Sequence, residues 1–460
     1  MASFLHGVHV PHFKNTAKIA AVRMPTPHTV TIPMSMHIGA PAKPVVKVGD
    51  PVKVGTLIAE AGGFVSAPIY ASVAGKVTKI TDYLLSIGGT VPAVIIEADT
   101  ALYEQANASP EEGAAADAAP VSIYDESVIP PVVNSRESLL AAIQKSGIVG
   151  LGGAGFPTHV KFNVEPERIE YLIINGAECE PFVTSDTRTM LDRTEDMAVA
   201  LEAFKTYLGI RHIIIGIEKN KRSAIKSMKR LKDRFGDDCQ YKVKSLPVVY
   251  PQGGEKVMIY HTTGRKVPVG KLPIDVGCIV INVTTLAAIG AYLQTGLPLV
   301  EKCVTVDGGA VNQPKNVIAP IGTPIADLLE FCGGLKTEPD RVVYGGPMMG
   351  ITVPDTTAPV LKNTNAVLAL TAKETKTPVT TACIRCGSCT NACPFGLAPA
   401  AIAKAYEQKD AVKLEELSVN ACMECGCCSF VCPANRPLVQ TNKLSKILIR
   451  EEKAKEGTKS

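Results

Sequence analysis

Nine of the fourteen cysteines in this 460-residue chain lie between Cys383 and Cys432. Eight of them form one pattern twice: Cys383-x2-Cys386-x2-Cys389-x3-Cys393-Pro394, then Cys422-x2-Cys425-x2-Cys428-x3-Cys432-Pro433. Three thiolates at this spacing wrap one face of a [4Fe–4S] cubane, because the two-residue loops turn backbone amides toward the sulfides. The fourth cysteine, beside proline, leaves its loop and ligates the other cluster. That assigns Cys383, Cys386, Cys389 and Cys432 to one cluster, and Cys393, Cys422, Cys425 and Cys428 to the second. A pair of zinc sites is the alternative, although zinc usually takes paired C-x2-C units. Cys427 falls outside the spacing, and Cys239, Cys278, Cys303 and Cys332 read as small buried hydrophobes.

A second set of residues offers a different chemistry. Gly150, Gly152 and Gly155 match G-x-G-x-x-G within the run G-L-G-G-A-G-F-P-T. A helix precedes it rather than a strand, and Pro157 stops a helix from following smoothly, so the context of a dinucleotide fingerprint is missing. The loop instead presents bare backbone amides to a phosphate or a flat ring. Lys161 adds a charge and Phe156 a stacking face; a generic glycine turn is the alternative. The block N-G-A-E-C-E-P at 175–181 then follows an apolar strand at 171–174. Polar side chains at the carboxyl end of a parallel strand are where α/β ligand sites are built. Gly253-Gly254-Glu255-Lys256 and Asn282-Val283-Thr284-Thr285 are two further clusters of this kind.

These groups need a scaffold, and the length suggests roughly three domains at about 100–200 residues each. Residues 1–98 carry short alternating runs with glycine turns, at 45–55 and 71–80, which indicates a small all-β unit. Its wording resembles the barrel-sandwich (lipoyl/biotinyl-like) domain. No lysine lies between Lys53 and Lys76, where the tip reads Gly62-Gly63-Phe64-Val65-Ser66. With no amine to acylate, the domain is structural or a docking unit. Residues 99–134 are a linker, acidic and Ala-rich at 99–120. From 135 to 298, strands (171–174, 212–217, 278–283) alternate with helices (196–208, 221–235), opening with a helix capped by Ser135; this is the α/β signature. A shorter α+β stretch fills 299–370, and 371–460 is helical around the cysteines.

Composition sets the limits. Forty-eight Lys+Arg against 44 Asp+Glu leave only +4, there is no Trp, and aromatics are 5%, so neither charge nor stacking argues for nucleic acid. The first twenty residues contain no apolar run of signal length, which places the chain in a reducing cytosol. Residues 276–300 carry no charge, yet hold Asn, Thr, Gln, Gly and Pro. A buried strand, a Thr cap and a short buried helix fit them better than a membrane span.

Taken together, G-x-G-G-A-G-F-P-T-x-x-K and N-x-x-E-x-E-P resemble the flavin- and NADH-binding subunit of respiratory complex I. The domain order, with H-I-G-A-P-A at 37–42 and V-K-V-G-D at 46–50, resembles the RnfC family of Rnf electron-transport complexes over essentially the whole chain. The fold this implies is multidomain α/β plus β. A barrel-sandwich domain comes first, then a Rossmann-like FMN/NADH domain, a β-grasp (SLBB-type) domain and a helical double [4Fe–4S] ferredoxin-type domain. The resemblance also implies FMN held by Gly152, Gly153, Lys161, Asn175 and Asn282, with Glu178 and Glu255 nearby. It implies NADH stacking on Phe156, with Glu180 close to the nicotinamide half. The chain departs from the complex I pattern at Leu151, where Arg is usual, at Lys256, where a second Glu is usual, and at Ile281, where Asn is usual.

The function so implied is electron transfer between NAD(H), FMN and two [4Fe–4S] clusters. The protein would lie peripherally on the cytoplasmic face of the cell membrane, bound to the other Rnf subunits and reaching ferredoxin through them. Microcompartment cobalamin reductase resembles the same flavin and cluster segments, but lacks an extended barrel-sandwich region ahead of them. A non-catalytic iron–sulfur wire, without flavin or nucleotide, is the third reading. NADH-dependent bleaching after addition of FMN separates the three.

Overall fold

The computed structural model describes residues 5–107, 121–376 and 378–457. Most of the acidic, Ala-rich stretch read as a linker lies outside them. On either side of it, Thr100–Asn107 is a helix, and the backbone at Ile123 and Asp125 bonds to Val54 of the first domain.

The barrel-sandwich domain faces a four-stranded sheet (Thr29–Pro33, Thr90–Ala98, Gly75–Leu84, Pro51–Val52) against a three-stranded one (Lys43–Pro44, Leu57–Glu60, Ile69–Tyr70). Val30, Ile32, Ile58, Ile69, Val94 and Ile96 fill the space between them. Residues 5–24 also pair outside these two sheets. Val8 bridges to Tyr250, and Val22–Arg23 adds a parallel edge strand to Lys315–Pro320. Partners so distant in the chain leave no local signal.

The α/β domain has a four-stranded parallel sheet in the order Gln240–Leu246, His212–Glu218, Tyr171–Asn175, Cys278–Asn282. The central strand reads Y-L-I-I-N, with Leu172, Ile173 and Ile174 fully buried, as a parallel strand covered on both faces requires. The first three strands in sequence step outward in one direction and the fourth returns to the other side of the first. The order therefore reverses between Tyr171–Asn175 and Cys278–Asn282, and in open α/β sheets the ligand crevice lies beyond the carboxyl ends of such a pair. Helix Arg136–Lys145 enters with Ser135 as N-cap, as expected. The charge-free stretch is the strand Cys278–Asn282 followed by the helix Val283–Thr295; its cap is Asn282 rather than a threonine. No helix among the described residues is long and apolar enough to cross a membrane. The expected helix at 221–235 breaks into Arg222–Lys229 and a 3-10 turn, Arg230–Arg234.

The third domain is a six-stranded mixed sheet centred on Glu301–Asp307 and Ala366–Leu370, with helix Ile325–Phe331 against it. The last is helical: short helices Ser388–Asn391 and Cys427–Phe430 carry cysteines, and Pro399–Glu407 packs on Leu438–Gly457.

Candidate functional site

Asn175 and Asn282 are register partners on the two strands that flank the reversal, so their side chains stand together at the mouth of the crevice. Each is held. Asn175 donates to the Gly253 carbonyl (2.8 Å) and accepts from the Ala177 N–H (3.1 Å). Asn282 caps its helix through the N–H groups of Thr284 (2.9 Å) and Thr285 (3.2 Å), and donates to buried Asp186 (2.7 Å). Satisfying the first free amides of a helix in this way fixes the side chain's direction.

The glycine loop closes the crevice above them. Gly150 donates to the Phe156 carbonyl (2.8 Å), pinching the loop at its base. Gly152 is pressed onto Asn282, whose amide nitrogen lies 2.6 Å from where a Cβ would stand, so no larger residue fits. Gly153 differs: nothing lies within 4 Å of its Cβ position, and Gly152, Gly153 and Ala154 are all exposed. Bare backbone over open space suits a flat ring. Phe156 is half-buried at the end of the loop. Lys161 donates to Glu255 (2.9 Å) and to the Val280 carbonyl (2.8 Å), so both expected side chains sit beside the Cys278–Asn282 strand.

Two expected residues point elsewhere. Glu178 is turned inward and accepts from the Asp186 N–H (2.7 Å), Thr187 (2.7 Å) and Lys221 (2.9 Å). Burial alone would raise its pKa, but Lys221 and Lys14 hold it below the usual carboxylate range. The Glu180 carboxylate accepts from the Met348 (3.0 Å) and Met349 (2.9 Å) N–H groups, in a loop of the neighbouring domain. Burial pushes it up to about 7 against those two bonds. The structure thus brings Gly152, Gly153, Phe156, Lys161, Asn175, Glu255 and Asn282 to one crevice and sets Glu178 and Glu180 behind it.

The cysteines fall into the two expected quartets. Cys383, Cys386, Cys389 and Cys432 line a cavity of 270 Å³, and Cys393, Cys422, Cys425 and Cys428 line a tighter one. The fourth cysteine of each run crosses to the other set. Among the described residues, no group of three or more His, Cys, Asp or Glu lies close enough to hold a single metal ion; the thiols surround cavities instead. Such sets of four soft ligands fit [4Fe–4S] cubanes. Cys427 is buried beside the second set.

Sequence reasoning missed what joins the two sites. The Tyr250 hydroxyl donates to the Cys425 carbonyl (2.7 Å), and Cys179 accepts from the Gly253 N–H (3.3 Å). Met423 packs directly on Gly254, so a side chain there would have to push its methyl group aside. The Cys422–Cys428 quartet is therefore the inner one, against the crevice. The other is outer, with Cys383 and Cys386 exposed. Missed too was Lys14, whose ammonium donates to the carbonyls of Glu178 (2.8 Å), Glu180 (2.7 Å) and Val183 (2.5 Å).

Comparison with known proteins identifies the domains. Residues 2–101 match the RnfC barrel sandwich hybrid domain, 143–291 the Nuo51 FMN-binding domain, 303–352 the SLBB domain and 377–433 the 4Fe-4S dicluster domain. The RnfC protein of the proton-translocating ferredoxin:NAD(+) oxidoreductase complex of Clostridium ljungdahlii is 40% identical over 88% of this chain and 84% of its own. Its counterpart in the Na(+)-translocating complex of Acetobacterium woodii is 39% identical over 89% and 88%. Among solved structures, an NAD+-reducing [NiFe]-hydrogenase in the H2-reduced state matches at 18% identity and a TM-score of 0.49, over 69% of this chain and 61% of that one. An electron-transport protein with FMN and [4Fe–4S] clusters as cofactors, this chain belongs to the RnfC family of the ferredoxin:NAD(+) oxidoreductase complexes.

Proposed function

We propose that this protein passes electrons between NAD(H) and its two [4Fe–4S] clusters by way of FMN held at the Asn175–Asn282 crevice. It would lie peripherally at the cytoplasmic face of the cell membrane. The other Rnf subunits would connect it to ferredoxin and to ion translocation. The observation that carries this reading is the serial order of crevice, inner quartet and outer quartet, the last opening at the surface through Cys383 and Cys386.

FMN, when bound, exchanges a hydride with nicotinamide and single electrons with iron–sulfur centres. The chain's own residues supply placement. Asn175 and Asn282 form the floor, Gly152 and Gly153 lie over them with open space at Gly153 for the ring, and Phe156, Lys161 and Glu255 border the opening. Tyr250 and Met423 hold the inner cysteine loop against the same crevice. The barrel-sandwich domain ahead of the flavin domain favours this reading over a cobalamin reductase.

The test uses purified protein with reconstituted clusters and added FMN under anaerobic conditions. NADH should bleach the visible cluster absorbance only when FMN is present. Protein with full iron that binds no FMN and shows no bleaching would be an iron–sulfur wire instead.

A further inference from the structure

One residue of the glycine loop, Leu151, is held from two domains at once, through the two peptide groups that flank it. The Leu151 N–H donates to Thr285 Oγ1 (2.8 Å), on the helix capped by Asn282. The Leu151 carbonyl accepts from Lys302 Nζ (2.9 Å), on the Glu301–Asp307 strand of the neighbouring sheet domain. Leu151 itself is 1% exposed and Lys302 2% exposed, whereas the next three residues are open to solvent.

A buried lysine is costly, because its ammonium gives up water; here burial brings it down to about 8, with Asp186 pulling the other way. A methionine would fill the same space without that cost. What only the lysine supplies is a charged donor at the Leu151 carbonyl, directly before Gly152. Asp186 completes the frame from below: it receives Asn282 Nδ2 (2.7 Å) and Thr284 Oγ1 (2.6 Å). Loop, Asn282 and Thr285 are thereby fixed to one another and to the next domain.

We propose that Lys302 is a positioning residue for the flavin: it fixes the Leu151–Gly152 peptide while Thr285 fixes the one before it, and so sets the height of the Gly152–Gly153 backbone over the crevice. This rests on the crevice being the FMN site. The neighbouring domain then controls flavin retention without touching the flavin.

The experiment titrates FMN into whole protein with reconstituted clusters, following quenching of flavin fluorescence, for wild type, Lys302→Met, Thr285→Val and the double variant. Each single change should weaken FMN binding at least tenfold with iron content unchanged. The double should be no weaker than the weaker-binding single, because both anchors act on one residue, Leu151. In Lys302→Ala, added propylamine should restore FMN binding and propanol should not, a difference that loss of packing alone would not produce. Wild type that fails to bind FMN would overturn the crevice assignment itself. Wild type that binds while Lys302→Met binds within twofold of it would overturn the role of Lys302 alone. If Lys302→Met loses iron and fold together, Thr285→Val decides, and normal FMN affinity there overturns the proposal.

Discussion

Glu180 is where the structure makes its sharpest thermodynamic prediction. Its carboxylate lies largely out of water, on two amide donors, with the Tyr250 side chain also in hydrogen-bond reach. In the unfolded chain its pKa is near 4.5; in the folded protein burial moves it to about 7. A folded value above the unfolded one means that its contribution is fully present below about pH 4.5. It is lost as pH rises through 7. The whole interval corresponds to about 3 kcal/mol, or about 2 kcal/mol after allowance for the partial exposure of the side chain. Glu180→Gln cannot ionise. It leaves one of the two Met amides facing an NH2 group, at a cost of about 1–3 kcal/mol that does not vary with pH. The variant should therefore be clearly less stable than wild type at pH 5, and the gap should close by about 2 kcal/mol at pH 8. Urea unfolding of both proteins at the two pH values measures this, and groups that do not interact with Glu180 cancel in the comparison. A gap that is equal at pH 5 and pH 8 would refute the raised pKa and the burial argument behind it.

Cys386→Ala should remove about half of the bound iron, whereas Cys427→Ala should leave iron content unchanged; iron assay of the reconstituted proteins checks both. Gly153→Val places a branched side chain in the open space at the tip of the loop, and should release FMN while both clusters remain, read from flavin and iron content. Glu178→Gln unpairs Lys221, itself 7% exposed, and should cost about 3 kcal/mol in urea unfolding; Glu218 at 3.8 Å retains part of the pairing. Because Glu178 is held below its ordinary value, its contribution is present above about pH 4.5 and fades as pH falls further, so acid should narrow that difference. Intact mass of protein from its own host should show no lipoyl or biotinyl group on residues 1–98.

What the sequence revealed was local. The quartets follow from spacings of two and three residues, and the crossing of Cys393 and Cys432 from the proline beside each. Asn175 and Asn282 were legible because each directly ends an apolar strand. Glu178 and Glu180 sit in the same motif, yet nothing local says which way they face. Their direction is set by Lys221 and by Met348, 43 and 168 positions away. Lys302 had no signal, since its partner lies 151 residues earlier, in another domain. Thr285 was visible in N-V-T-T, but not its bond to Leu151.

The strap formed by residues 5–24 also bears on how the protein is made. Val22 and Arg23 lie alongside Val317 and Ile318, and Val8 alongside Tyr250. At about 5–20 residues per second, the ribosome needs roughly 15–60 s to make the stretch that separates Arg23 from Ile318. The barrel-sandwich domain can fold within that time, but its own leader must wait, unpaired, for a sheet that does not yet exist. Once Lys315–Pro320 emerges, its free edge is open to any strand until the leader arrives. A bulky group fused ahead of residue 5 should therefore delay closure of that edge and promote aggregation during synthesis, more than the same group placed after the last helix.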